Sequence, residues 1–179
     1  MRLRHVALGT GLALLMAGPA LAQGDQMPES YRQVQQSALD LQRRALLAMV
    51  DSMPERLYRD KATPAQRDFA QQIAHSAGAV VMIASSVLGI PGPAPQDTAA
   101  YLNSRSGLRA FVNGCYDWAT TALRNQSAAD RARTVNLFGM RMQGWKVWDE
   151  LHQHTFWTAG QIVANFRKNG MAPPGFGFF

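Results

Sequence analysis

FAQQIAHSAGAVVMIASSVLG, running from Phe69 to Gly89, is the stretch that decides how this chain is read. With its tail to Gln96 it makes 28 residues without an Asp, Glu, Lys or Arg, and its only ionisable side chain is His75. The purely apolar part, AGAVVMI, is far shorter than the roughly 20 residues a bilayer requires, and Gln71, Gln72, His75, Ser76, Ser85 and Ser86 dilute the remainder. A helix buried on nearly all sides within a bundle explains it better. At about 100° per residue, Phe69, Ile73, Ala77, Val80, Ala84 and Val87 fall on one side, and His75 falls with Ala79, Met82 and Ser86 on the other. Two readings of His75 follow: a core histidine donating to a backbone carbonyl, or a residue lining a cavity.

Outward from this stretch the chain is helical almost throughout. Thr63 with Pro64 and Gln66 reads as a cap, first helical position and capping box, so the helix is expected to start there and run to about Leu88. Gly89, Pro91, Gly92, Pro93 and Pro95 then stop it. Upstream, Tyr31, Val34, Ala38, Leu41, Ala45, Met49 and Val50 recur at three and four, predicting a helix from Glu29 to Ser52 that Met53-Pro54 ends. Downstream, a third helix is expected from about Ser106 to Asn125, burying Leu108, Phe111, Val112, Cys115, Ala119, Ala122 and Leu123. The segment SAADRARTVNLFGMRMQG reads as a connection, partly helical, with no hairpin signal. A fourth helix spans about Trp145 to Lys168, where basic residues, Gly170 and Pro173-Pro174 close it. Four helices with one apolar stripe each make an all-α four-helix bundle.

Composition narrows the partners. Residues 1–22 carry a basic head (Arg2, Arg4, His5), an apolar run and the small-x-small pattern Ala20-Leu21-Ala22, which reads as a signal peptide; the domain is then 23–179 and the protein is expected to be periplasmic or secreted, without stable membrane insertion. Removing two arginines leaves 16 basic against 12 acidic residues, a mild excess without a basic patch, so nucleic acid is not an expected partner. Cys115 is the single cysteine; no intrachain disulfide is possible, and its position four after Phe111 suits a small core residue. A homodimer is compatible with a bundle of this size, although no seam is legible.

The candidate chemistry lies on the fourth helix. Residues sharing a face with His154 are Val147, Glu150, Leu151, Thr158, Gln161 and Asn165, a polar column down an otherwise apolar side. Burying such a column is costly unless its members are paired, hydrated or bound to something. Glu150 and His154 are one turn apart, a spacing at which both can reach one ion or simply bond each other. His152 points elsewhere and reads as a surface residue.

These residues carry a family resemblance. FAQQIAHSAG resembles the second-helix histidine segment of the DinB-like family of four-helix bundles, and HTFWTAGQIVANFRKNGMAPP resembles that family's fourth-helix HxxxHxGQ signature with its usual ending. The resemblance spans about Ser30 to Pro174 and implies a metal site with His75 as first ligand and His154 as second. The third ligand position falls on Thr158, a departure, because a neutral hydroxyl is a poor substitute for imidazole. Glu150 is the carboxylate that could complete a two-histidine, one-carboxylate set for a divalent metal of the zinc or nickel type, with Thr158 then bonding a bound water. The resemblance implies a metal-dependent enzyme of the thiol-dependent transferase or hydrolase sort acting on a small-molecule substrate. The alternative is a non-catalytic exported bundle that binds a small ligand or a protein partner through a degenerate, neutral polar pocket.

Overall fold

The computed structural model describes residues 28–175; the expected signal peptide and most of the terminal GFGFF lie outside them. Helix α1 covers Glu29–Ser52, as its periodicity predicts. Ala38, Leu41 and Val50 of the expected stripe are buried, but the buried face extends past them to Gln35, Leu39, Gln42 and Leu46, while Val34 is 48% exposed. Two buried glutamines occupy core positions that an apolar stripe does not count.

Helix α2 spans Phe69–Leu88, not from Thr63. The capping box is present, but it is Asp68 with Gln71: the Asp68 carboxylate accepts from the Gln71 backbone N–H at 2.8 Å, and the Gln71 side chain accepts from the Asp68 N–H at 3.1 Å. A carboxylate is the stronger acceptor at the positive end of a helix dipole. Arg59 holds it from outside at 2.8 Å, and Thr63 to Gln66 form a turn instead. The other end is as expected, with Gly89 as a left-handed cap at φ 69°.

The breaker segment then folds back across α2, bringing Gly92 against Val81 and Ser85. Trp118 donates to the Pro91 carbonyl at 3.0 Å and secures this return. It leads into a short helix absent from the sequence expectation, α3 (Thr98–Leu102), capped by Asp97. Gly107 sits so close under the Ala100 carbonyl that a Cβ could not be accommodated. Helix α4 is Arg105–Asn125, with Ser104 accepting from the Gly107 N–H at 3.1 Å. Its interior matches the predicted face except that Tyr116 is buried and Phe111 is half-buried. Burial pushes the Cys115 thiol up to about 12, which suits a packing role.

Between α4 and the last helix the structure again differs from the sequence expectation. After α5 (Ala128–Ala132) the chain makes an antiparallel hairpin, β1 (Thr134–Leu137) with β2 (Met140–Gln143), register Leu137↔Met140. Its two turn residues, Phe138 at φ 50° and Gly139 at φ 92°, are both left-handed, as two-residue hairpin loops require. An Asn or Asp before the glycine would have announced the turn; phenylalanine hides it. Val135 and Leu137 anchor the hairpin to the core.

Helix α6 (Lys146–Lys168) completes the bundle. Helix α1 packs against α4 and α6, and α2 packs against the same two, so α1 and α2 are diagonal neighbours although consecutive among the long helices. The α2–α6 pair is the most extensively packed, and it runs antiparallel: Phe69 meets Phe166, Gln72 meets Thr158, and His75 meets His154. Among the described residues no helix is long and apolar enough to cross a membrane.

Candidate functional site

Asp68 sets where α2 begins, and so which of its residues lie against α6. One turn in, the buried Gln72 side chain donates to the Thr158 carbonyl at 3.1 Å, fixing the axial register between the two helices. The next turn brings His75 opposite His154, ring centroids 5.4 Å apart and planes at 69°. Both rings are half-buried.

Neither ring is held as a core histidine would be. His75 bonds to no backbone carbonyl among the described residues, and the Nδ1 of His154 is buried without a partner. Burial is the first cause lowering the affinity of both imidazoles for a proton, and the nearby Arg67 guanidinium is the second; His75 also feels His154. The pair is therefore neutral at pH 7, with ring lone pairs unspent.

The polar column on α6 resolves into separate fates. Thr158 is buried, and its hydroxyl donates back into its own helix, to the carbonyls of His154 at 2.9 Å and Thr155 at 3.0 Å. Asn165 is also buried and donates to the Asp60 carbonyl at 3.0 Å. Glu150 is half-buried on α6, and no group of three His, Cys, Asp or Glu able to hold an ion occurs among the described residues. The two histidines converge; Glu150 does not join them as a third donor. His152 is not the surface residue expected: its Nδ1 lies 2.9 Å from the Gln42 amide on the opposite side of α6.

Chemically, this donor set does not fit a three-ligand catalytic ion. The third family position holds a hydroxyl whose hydrogen is spent on backbone carbonyls. The Nδ1 of His154 lacks the acceptor that normally orients a metal-bound imidazole. A guanidinium near enough to depress both imidazoles also disfavours a further cation.

Beside His75 the bundle opens into a cleft of about 400 Å³ between α2 and α3, bordered by Arg67, Gln71, Thr98, Tyr101 and Leu102. Sequence reasoning missed all of these as site residues. Most of them reach the cleft only because the loop after Gly89 doubles back and places α3 over α2. That loop also corrects the picture of a helix enclosed on nearly all sides, since Met82 is 55% exposed and Ser86 is exposed.

No family model matches the chain, and no curated protein does. Among solved structures it is similar to a DinB-like protein from Bacillus cereus ATCC 10987, with a TM-score of 0.68 and 16% identity over 84% of this chain and 98% of that one. At that identity the likeness speaks for architecture, and it agrees with the cyclic packing α1, α4, α2, α6 described above. The chain thus has the DinB-like four-helix-bundle fold.

Proposed function

We propose that this chain is an exported, small-ligand-binding bundle whose centre is the His75–His154 pair, working without the three-donor metal centre that the DinB-like resemblance implies. The observation that carries this reading is a pair of facing imidazoles without partners among the described residues, of which His75 borders an open cleft, with the hydroxyl at the third position turned back into its own helix. Such a pair can accept or donate hydrogen bonds to a ligand and can take up a proton from it. Export rests on residues 1–22 alone.

A second reading is favoured by one number. Two imidazoles sharing an ion with metal–nitrogen bonds near 2.0–2.1 Å would have ring centroids about 5 Å apart, and 5.4 Å is close to that. In this reading a divalent ion of the zinc or nickel type is held by His75 and His154, and the enzyme class is the thiol-dependent transferase or hydrolase sort.

Elemental analysis of the mature protein, purified without a histidine tag, separates the two. The ligand-binding reading expects metal well below one equivalent, unchanged by His154→Ala. Stoichiometric metal abolished by His154→Ala would instead establish the ion. Thr158→His is the sharper variant: restoring an imidazole that can bond the ion directly is expected to raise zinc affinity by more than the roughly 10–100-fold contributed by a group that only hydrogen-bonds to a ligand. If affinity does not rise, His75, His154 and residue 158 do not face one point.

A further inference from the structure

The cleft beside His75 has a one-sided polar inventory. Arg67, on its rim, is exposed and forms no ion pair with a carboxylate among the described residues. The Gln71 Oε1 is taken by the Asp68 N–H, which fixes the amide orientation and leaves the two Nε2 hydrogens as its unspent end. His75 and the hydroxyls of Thr98 and Tyr101 can each donate as well as accept. No acidic residue among the described residues borders the cavity. Of the two nearest along the chain, Asp68 holds Arg59 and the Gln71 N–H, and Asp97 caps the Ala99 N–H while its charge still reaches Tyr101.

One wall is aromatic and braced. The Tyr101 ring stacks on Phe111 with centroids 4.1 Å apart and planes at 21°. Phe111 in turn lies against Gly78 of α2, where a Cβ would be 3.4 Å from its ring. A planar surface held from behind in this manner suits the flat face of a ligand.

We propose that this cleft selects a small organic monoanion: a carboxylate on a flat apolar body, with the carboxylate on Arg67 and Gln71 and the body against Tyr101, next to His75. The claim rests on the ligand-binding reading above and specifies what that site takes. A guanidinium with no internal partner gains a charge-assisted bond to a carboxylate that a neutral amide of the same shape cannot match.

The test uses benzoate and its neutral isostere benzamide as probes, titrated into the ¹⁵N-labelled mature chain and followed through backbone and imidazole resonances. Benzoate is expected to shift His75 and the 98–102 segment with a Kd about tenfold below that of benzamide, the factor one charge-assisted bond typically supplies. Arg67→Gln, an exposed change that breaks no ion pair among the described residues, is expected to erase that preference, bringing the benzoate Kd to that of benzamide. Equal affinities, or a preference that survives Arg67→Gln, would overturn the anion assignment and leave the ligand-binding reading standing. Shifts confined to residues away from the cleft, or none with either probe at millimolar concentration, would overturn both.

Discussion

His152 and His154 stand two positions apart on α6 and live in opposite circumstances. On the α1 side, the Nδ1 of His152 is bonded to Gln42 at 2.9 Å, Gln42 in turn accepts from the Tyr116 hydroxyl at 3.2 Å, and the imidazole meets Phe156 edge-on. A turn away, Gln35 reaches both the Trp145 carbonyl and Asp149, each at 2.9 Å. On the α2 side, His154 faces His75 with its Nδ1 unpartnered, and a cavity is bordered by His75. Both sides bury polar groups, and Gln35 Oε1 is left without a partner on the α1 side too, yet the ring nitrogen of His152 is bonded within the protein whereas that of His154 is not. A closed network rigidifies the packing, whereas an open one bears its desolvation cost without an internal return. The open side is therefore where a ligand gains most.

The largest break in this contrast is expected from Gln42→Ala. It removes the acceptor of a buried tyrosine hydroxyl and one partner of a half-buried imidazole and opens a cavity, and should lower stability by about 3 kcal/mol in urea unfolding. His154→Ala loses no hydrogen bond within the described residues and should change stability by less than about 1 kcal/mol. If the two variants are equally damaging, the distinction between closed and open sides is wrong.

A smaller effect is expected where the register of the open side is set. Asp68→Ala removes the cap and the partner of Arg59, and should cost about 1–2 kcal/mol. Thr63→Ala, at the start read from sequence, should be close to neutral. Circular dichroism melts of the two variants compare them directly, and a larger loss for Thr63→Ala would restore the earlier helix start.

The smallest effect is in the pH dependence. His75 and His154 both bind protons less readily in the fold than in the unfolded chain, so between their lowered pKa and the ordinary histidine value of about 6.5 the unfolded state holds more protons. Stability is then full above about pH 6.5 and falls as pH drops through that window. His152 shifts the same way, opposed in part by Asp149. The double variant His75→Gln/His154→Gln should flatten the acid limb of the stability–pH curve, leaving the His152 contribution behind. An unchanged limb would show that the α2–α6 pair is not held neutral.

Much of this was readable from residues. The bounds of α1 and the ends of α2 and α6 followed from periodicity, Gly89 and the closing Gly170, because these are local effects of backbone conformation and apolar spacing. That His75 and His154 share an interface followed from the family resemblance, because the pattern of each helix alone left the surroundings of its histidine open. The start of α2 was displaced because two overlapping motifs, Thr63 with Gln66 and Asp68 with Gln71, compete, and Arg59 favours the second from outside the window. The hairpin went unseen because Phe138 occupies a turn position that asparagine usually signals.

Sequence alone determined that the chain makes long amphipathic helices, with a charge-free second helix bearing one histidine and a polar column on the fourth, since periodicity and breakers act within a few residues of themselves. Tertiary structure alone decided that α1 and α2 sit diagonally, that Gln42 closes around His152 while His154 stays open, and that α3 folds over α2 to bring Thr98 and Tyr101 to a cleft with Arg67 and His75. Those outcomes depend on which buried donors find acceptors across the bundle, and that is settled only when distant segments pack together.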